Sequence, residues 1–91
     1  MDLQELRNKI DEIDNNLIEL FERRMDISAE VAEYKKRHNM PVHDPVRERE
    51  ILDKLSCKVK KERESSITAL YSLLFELSRA EQEKILNPEV I

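Results

Sequence analysis

Arg24 is a charged residue in a row of otherwise apolar positions. When residues 3–34 are read as heptads, the two core registers hold nine apolar or aromatic residues and one arginine: Leu3, Ile10, Leu17, Arg24 and Val31, then Leu6, Ile13, Leu20, Ile27 and Tyr34. A guanidinium keeps its proton inside a protein, and a buried charge without a partner costs several kcal/mol. An anion must therefore meet Arg24, supplied either by an internal carboxylate or by a bound ligand.

Two more basic residues lie on or beside the same face. Lys35 follows Arg24 by eleven residues, which on a helix places it within about 20° of the same face and about 16 Å along the axis. Two long side chains can lean together over a small anion across that gap. Arg7 lies about 25 Å from Arg24 on a straight helix, so it can reach the same anion only from a second chain in an antiparallel dimer.

Two further groups of polar residues occur later in the chain. Asp44, Arg47 and Glu48 fall at the start of a second predicted helix. Ser78 and Gln82 are four residues apart on a third helix. Two uncharged hydrogen-bonding side chains on a partly apolar line fit either a polar pocket or a helix edge in water.

Each basic residue also has a structural explanation. Arg24 would be satisfied by pairing with Asp14 or Glu76, and Arg7 by pairing with Asp11 one helical turn later. Lys35 could cover apolar surface with its stem and keep its ammonium in water. A single charged core position can also fix the register of a coiled coil. The residues alone leave these alternatives open.

Three helices are predicted to position these residues. The 91-residue chain has no glycine and three prolines, a composition that favours an all-helical fold. The first helix begins after Asp2, with Glu5 completing a capping box, and runs for about 36 residues to the break at 39–43. The second opens at Asp44-Pro45. The third is expected to be capped by Ser65 or Ser66 and to stop at Asn87-Pro88.

The first helix is too long for a compact domain of this size. About 36 residues span about 54 Å, whereas a globular chain of this length has a radius of gyration of about 12 Å. The remaining residues cannot cover the whole apolar stripe. We therefore expect an intertwined homodimer.

Composition excludes several classes of protein. The net charge is −4 with both signs interspersed, which gives no basic surface for nucleic acid. Cys57 is the single cysteine, so no intrachain disulfide can form, as in a reducing compartment. No run is long enough to span a membrane and no signal peptide is evident. We expect one cytoplasmic domain over residues 1–91, without a metal site.

The ordered set of motifs resembles the all-helical chorismate mutase family, in its monofunctional, stand-alone form. An early arginine, Arg24 and Lys35 are followed by a Pro-Val loop, by Asp-x-x-Arg-Glu at 44–48, and by Ser-x-x-x-Gln at 78–82. The resemblance covers residues 3–85. It implies the [3,3] rearrangement of chorismate to prephenate on the route to phenylalanine and tyrosine, with no cofactor, metal or covalent intermediate.

The resemblance also implies residue roles. Arg24 and Arg7 of the partner subunit would bind the two carboxylates of the substrate, and Ser78 would assist at one of them. Lys35 and Gln82 would donate hydrogen bonds to the ether oxygen, where negative charge grows as the C–O bond breaks.

At the other end of the substrate, Glu48 would accept a hydrogen bond from the ring hydroxyl, and Asp44 and Arg47 would line the site. Lys35, Gln82, Arg24 and Glu48 would be the catalytic residues. Because Gln82, unlike a glutamate, does not titrate in this range, we expect a rate that does not vary between about pH 5 and pH 8.

Two other functions compete with this interpretation. Isochorismate pyruvate lyase shares the fold and a similar cationic site, but the intact Asp-x-x-Arg-Glu segment at 44–48 favours the mutase. A non-catalytic helical dimerisation or regulatory module would explain the heptad seam, but it would not explain Arg24 within that seam.

Overall fold

The computed structural model describes residues 1–88 and is all-helical over that range. Its elements in chain order are helix α1 (Leu3–Arg37), helix α2 (Pro45–Leu55), a 3-10 turn (Lys61–Arg63) and helix α3 (Glu64–Leu86). The predicted all-α fold, with one very long N-terminal helix and two shorter ones, is confirmed. The last three residues of the predicted domain 1–91 lie outside the described residues.

Local hydrogen bonds set both ends of α1. The backbone N–H of Glu5 donates to Oδ1 of Asp2 at 2.8 Å, which is the predicted N-cap. At the other end, Asn39 has a positive φ of 54°, and the N–H of Met40 returns to the carbonyl of Lys35 at 2.9 Å. This left-handed turn satisfies a carbonyl of the last helical turn and ends the helix.

Helix α2 begins as predicted. Asp44 accepts a hydrogen bond from the backbone N–H of Arg47 at 3.0 Å, and Pro45 occupies the first helical position, where its missing N–H costs nothing.

The predicted cap of α3 at Ser65 or Ser66 is wrong. The helix already begins at Glu64, and its N-cap residue Arg63 makes no side-chain capping bond. The 3-10 turn just before it leads the chain directly into the helix. The negative charge of Glu64 in the first turn interacts favourably with the positive, N-terminal end of the helix dipole. The helix ends at Leu86 with Asn87 as C-cap, as predicted.

Helix α3 packs against both other helices, but the core they enclose is small. Helix α3 packs more extensively on α1 than on α2. Among the described residues, only Ala32 and Phe75 are buried apolar residues. The chain measures 54 × 25 × 20 Å, with a radius of gyration of 16.5 Å against about 12 Å for a compact domain of this length. The single chain is therefore extended, as the length of α1 requires.

The face of α1 that packs on α3 is not the heptad seam. All nine apolar or aromatic seam positions are exposed in the single chain. The buried residues of α1 are instead Ser28 and Ala32, on a line that includes the half-buried Arg24 and Lys35. These small residues allow the two helix backbones to approach closely. Arg24 shares the heptad register of the seam, but its guanidinium lies on the face of α1 that is turned toward α3.

No helix within residues 1–88 combines the length and apolar character that crossing a membrane requires.

Candidate active site

Two hydrogen bonds join α1 to α3 and place four of the predicted site residues together. Nη1 of Arg24 donates to Oγ of Ser78 at 2.7 Å, and Nζ of Lys35 donates to Oε1 of Gln82 at 2.9 Å. Eleven residues of α1 correspond to a rise of about 16 Å, whereas the four residues between the two partners on α3 correspond to about 6 Å. The two cationic side chains therefore converge on one region of α3.

Among the described residues, only neutral groups hold Arg24. Its guanidinium carbon lies 5.9 Å from the centroid of the Tyr71 ring, a distance at which a cation is attracted to the ring face. Neither Asp14 nor Glu76 forms a salt bridge with it, and no other carboxylate does so within residues 1–88. The structure therefore does not contain the salt bridge to Asp14 or Glu76 that would have given Arg24 a purely structural role.

Lys35 is fixed by two acceptors from different parts of the chain. Its ammonium donates to the backbone carbonyl of Val42 at 2.7 Å as well as to Gln82. An ammonium carries three donors and no acceptor. The amide of Gln82 must therefore turn its oxygen toward Lys35, which leaves its NH₂ group as a donor. Gln82 is buried, so this donor lies in a region of low water access.

Glu48 of α2 meets α3 through an arginine that the sequence did not single out. Nη1 of Arg79 lies 2.5 Å from Oε2 of Glu48, and Nε2 of His43 lies 3.8 Å from the other carboxylate oxygen. Arg79 follows Ser78 directly in the chain, but helix periodicity alone does not say that its side chain reaches α2. Only the docking of α2 on α3 brings it to Glu48.

Asp44 and Arg47 lie at the same end as Glu48. The carboxylate of Asp44 is engaged in capping α2. The guanidinium of Arg47 lies 3.5 Å from Glu50 in an exposed pair, so its charge faces the rim of the site. Both residues nevertheless contribute to the wall of the cavity.

One cavity collects nearly all of the predicted site residues. It has a volume of about 720 Å³ and lies among the three helices, within the size range of small-molecule sites. Seven of the eight predicted residues line it: Arg24, Lys35, Asp44, Arg47, Glu48, Ser78 and Gln82. The eighth, Arg7, is exposed on the first turns of α1, about 25 Å along the helix from Arg24. The fold of one chain does not bring it to this cavity.

The arrangement is suited to an elongated small acid. Arg24 and Lys35 bring two positive charges to one side, and the described residues pair neither with a carboxylate. Ser78 and Gln82 offer neutral polar groups beside them, and Glu48 offers an acceptor at the opposite end. Positioned donors in a partly closed site stabilise developing negative charge more strongly than water does.

Comparison with known proteins gives the same assignment over most of the chain. Residues 6–83 match the family chorismate mutase type II. A chorismate mutase of Methanocaldococcus jannaschii is 36% identical over 87 residues, which cover 93% of this chain and 88% of that protein.

Other relatives carry additional or different activities in their names. A bifunctional chorismate mutase/prephenate dehydratase of Buchnera aphidicola (subsp. Schizaphis graminum) is 36% identical over 88 residues, but this chain spans only 23% of its length. A 4-amino-4-deoxychorismate mutase of Streptomyces venezuelae is 39% identical over 46 residues, which are 50% of this chain and 45% of that protein. No solved structure gave a significant match. From the family match and the near full-length archaeal relative, the chain belongs to the chorismate mutase type II family.

Proposed function

We propose that the chain rearranges chorismate to prephenate in the cavity between α1, α2 and α3. The observation that carries the proposal is the convergence of Arg24 and Lys35 on Ser78 and Gln82, with no carboxylate among the described residues to balance them. Chorismate is a dianion, so its two carboxylates supply the negative charge that these cations lack.

Binding through two carboxylates also sets the geometry of the reaction. A guanidinium pairs with a carboxylate through two parallel hydrogen bonds, which fixes orientation as well as position. Arg24 holds one carboxylate, assisted by Ser78. With both carboxylates held, the enolpyruvyl side chain folds over the ring and its terminal carbon meets the ring carbon to which the new bond forms.

Lys35 and Gln82 act on the ether oxygen. As the C–O bond breaks, negative charge grows on this oxygen, and the ammonium and the amide NH₂ donate to it. Charge-assisted hydrogen bonds contribute about 1.5–3 kcal/mol each. A rate gain of about 10⁶ requires about 8 kcal/mol, which two such bonds together with orientation of the substrate can supply. Glu48 accepts from the ring hydroxyl at the far end.

We further propose that residues 1–91 act as one domain of a homodimer. The exposed apolar seam of α1 supports this, because nine neighbouring seam positions exposed to water are unfavourable without a cover. In an antiparallel arrangement, Arg7 of the partner subunit would enter the cavity and hold the second carboxylate. Two-fold symmetry would give two equal sites.

The direct test is the loss of chorismate absorbance with purified protein and no added cofactor, with prephenate identified by NMR. Isochorismate is incubated in parallel. Prephenate formation supports the mutase, whereas salicylate and pyruvate from isochorismate, without turnover of chorismate, would assign the chain as a lyase. Turnover of neither substrate by a folded dimer would support the non-catalytic module.

A further inference from the structure

The pair between Arg79 and Glu48 is the main polar link between α2 and α3 at the cavity. Their side chains are 32% and 23% exposed, respectively, and both residues line the cavity wall. The contact of 2.5 Å between Nη1 and Oε2 commits one carboxylate oxygen to the arginine. Oε1 is left on the side of His43, at 3.8 Å, where it can accept a further hydrogen bond.

Arg79 balances the negative charge of Glu48 at this end of the cavity. The carboxylate of Asp44 is used in capping α2, and the guanidinium of Arg47 is paired with Glu50 near the surface. The cationic group in direct contact with Glu48 at the cavity wall is therefore Arg79. A substrate group that binds Glu48 therefore meets a hydrogen-bond acceptor whose negative charge is already balanced by Arg79.

We propose that Arg79 is a positioning residue that makes this end of the site select a ring hydroxyl over a ring ammonium. The inference rests on the proposed function, in which Glu48 receives the ring hydroxyl of chorismate. A neutral hydroxyl needs only a hydrogen-bond acceptor in a fixed position, and Arg79 holds the Glu48 carboxylate in that position. An ammonium at the same ring carbon, as in 4-amino-4-deoxychorismate at neutral pH, needs an unbalanced carboxylate and is repelled by the guanidinium.

The experiment measures kcat/KM for chorismate and for 4-amino-4-deoxychorismate at pH 7 with the wild-type protein and three variants. Arg79→Met removes the charge and keeps most of the side-chain length, and Arg79→Lys keeps the charge. Arg49→Met is the matched control, because Arg49 pairs with Asp53 on the exposed side of α2 and does not line the cavity.

The wild-type protein and the Arg49→Met variant should prefer chorismate. In Arg79→Met, the ratio of the two kcat/KM values should shift toward the amino substrate by about tenfold, equivalent to about 1.4 kcal/mol, while Arg79→Lys keeps most of the preference. A purely structural role would lower both kcat/KM values equally and leave the ratio unchanged, and that result would overturn the inference.

Two further measurements keep the inference testable. If thermal unfolding shows that Arg79→Met does not fold, Arg79→Gln is measured in its place, and a kcat/KM ratio equal to that of the wild-type protein would refute selection by Arg79. If the wild-type protein turns over neither substrate, the proposed function fails. If it turns over chorismate and the ratio is insensitive to Arg79, only the selectivity inference fails.

Discussion

Lys35 of α1 and Gln82 of α3, 47 residues apart in sequence, are joined by a 2.9 Å hydrogen bond from the ammonium to the amide oxygen. Because an ammonium can only donate, this bond fixes which way the amide faces. The lysine thereby prepares the glutamine as a second donor. Two donors set in place before the substrate arrives need no reorganisation when charge develops in the transition state.

This pair predicts how the rate depends on pH. The amide of Gln82 does not ionise in this range, so we expect kcat to be flat between about pH 5 and pH 8. In Gln82→Glu, the protonated carboxyl can still donate, whereas the carboxylate repels the growing negative charge on the ether oxygen. The kcat of the variant should therefore fall as pH rises. A pH profile of chorismate turnover for both proteins tests this, and a steep change for the wild-type protein within that window would contradict it.

Replacing Arg24 by leucine separates catalysis from stability. Arg24→Leu removes a cation that no carboxylate among residues 1–88 balances but also the hydrogen bond to the buried Ser78. Because these two effects on stability oppose each other, Tm should change little. Turnover should fall on the order of 10³-fold, the upper range for loss of one positioned donor. Arg37→Leu, an exposed arginine on the same helix, is the control and should leave kcat/KM unchanged. Retention of full activity in Arg24→Leu would remove Arg24 from the site.

Mixing two inactive variants tests whether Arg7 is shared between chains. Dimers of Arg7→Ala and of Lys35→Ala should each be inactive, but a heterodimer contains one intact site. After complete random exchange, half of the dimers are mixed and one of their two sites works, which gives about a quarter of wild-type activity.

The control for this exchange uses the double variant Arg7→Ala/Lys35→Ala mixed with Lys35→Ala. Neither site of that heterodimer has its lysine, so no activity should return. If native mass spectrometry shows heterodimers of the two single variants and activity is still absent, the partner's arginine does not complete the site.

Placing a charge in the exposed seam of α1 should break the dimer. Ile13 is 58% exposed in the single chain, and Ile13→Glu would bury an unpaired carboxylate in the proposed interface, at a cost of several kcal/mol. We expect a monomer with reduced helicity and lost turnover. Asn15→Glu makes the same change in charge on the opposite face of α1 and should leave the dimer intact. Sedimentation equilibrium distinguishes the outcomes, and an unchanged dimer in Ile13→Glu would place the interface elsewhere.

Features set by the local chain or by the repeat of a single helix can be read from the sequence. The caps at Asp2 and Asp44 are bonds between residues three apart, so they can be read directly from the chain. The absence of glycine and the positions of the prolines set the helical class and the breaks. The eleven-residue spacing of Arg24 and Lys35 likewise placed both on one face of α1, because the helix repeat is fixed by the backbone.

Which helix faces meet depends on how the three helices dock on one another. The heptad seam predicted that a second copy of the chain covers the large apolar residues of α1, but it did not indicate that α3 packs on Ser28 and Ala32. Apolar periodicity reports that a face is to be covered, but not which neighbour covers it. The contact of Arg79 with Glu48, 31 residues earlier, was not readable for the same reason. Such a pair depends on the relative placement of two helices, and the long-range packing that fixes it leaves no periodic signal in either one.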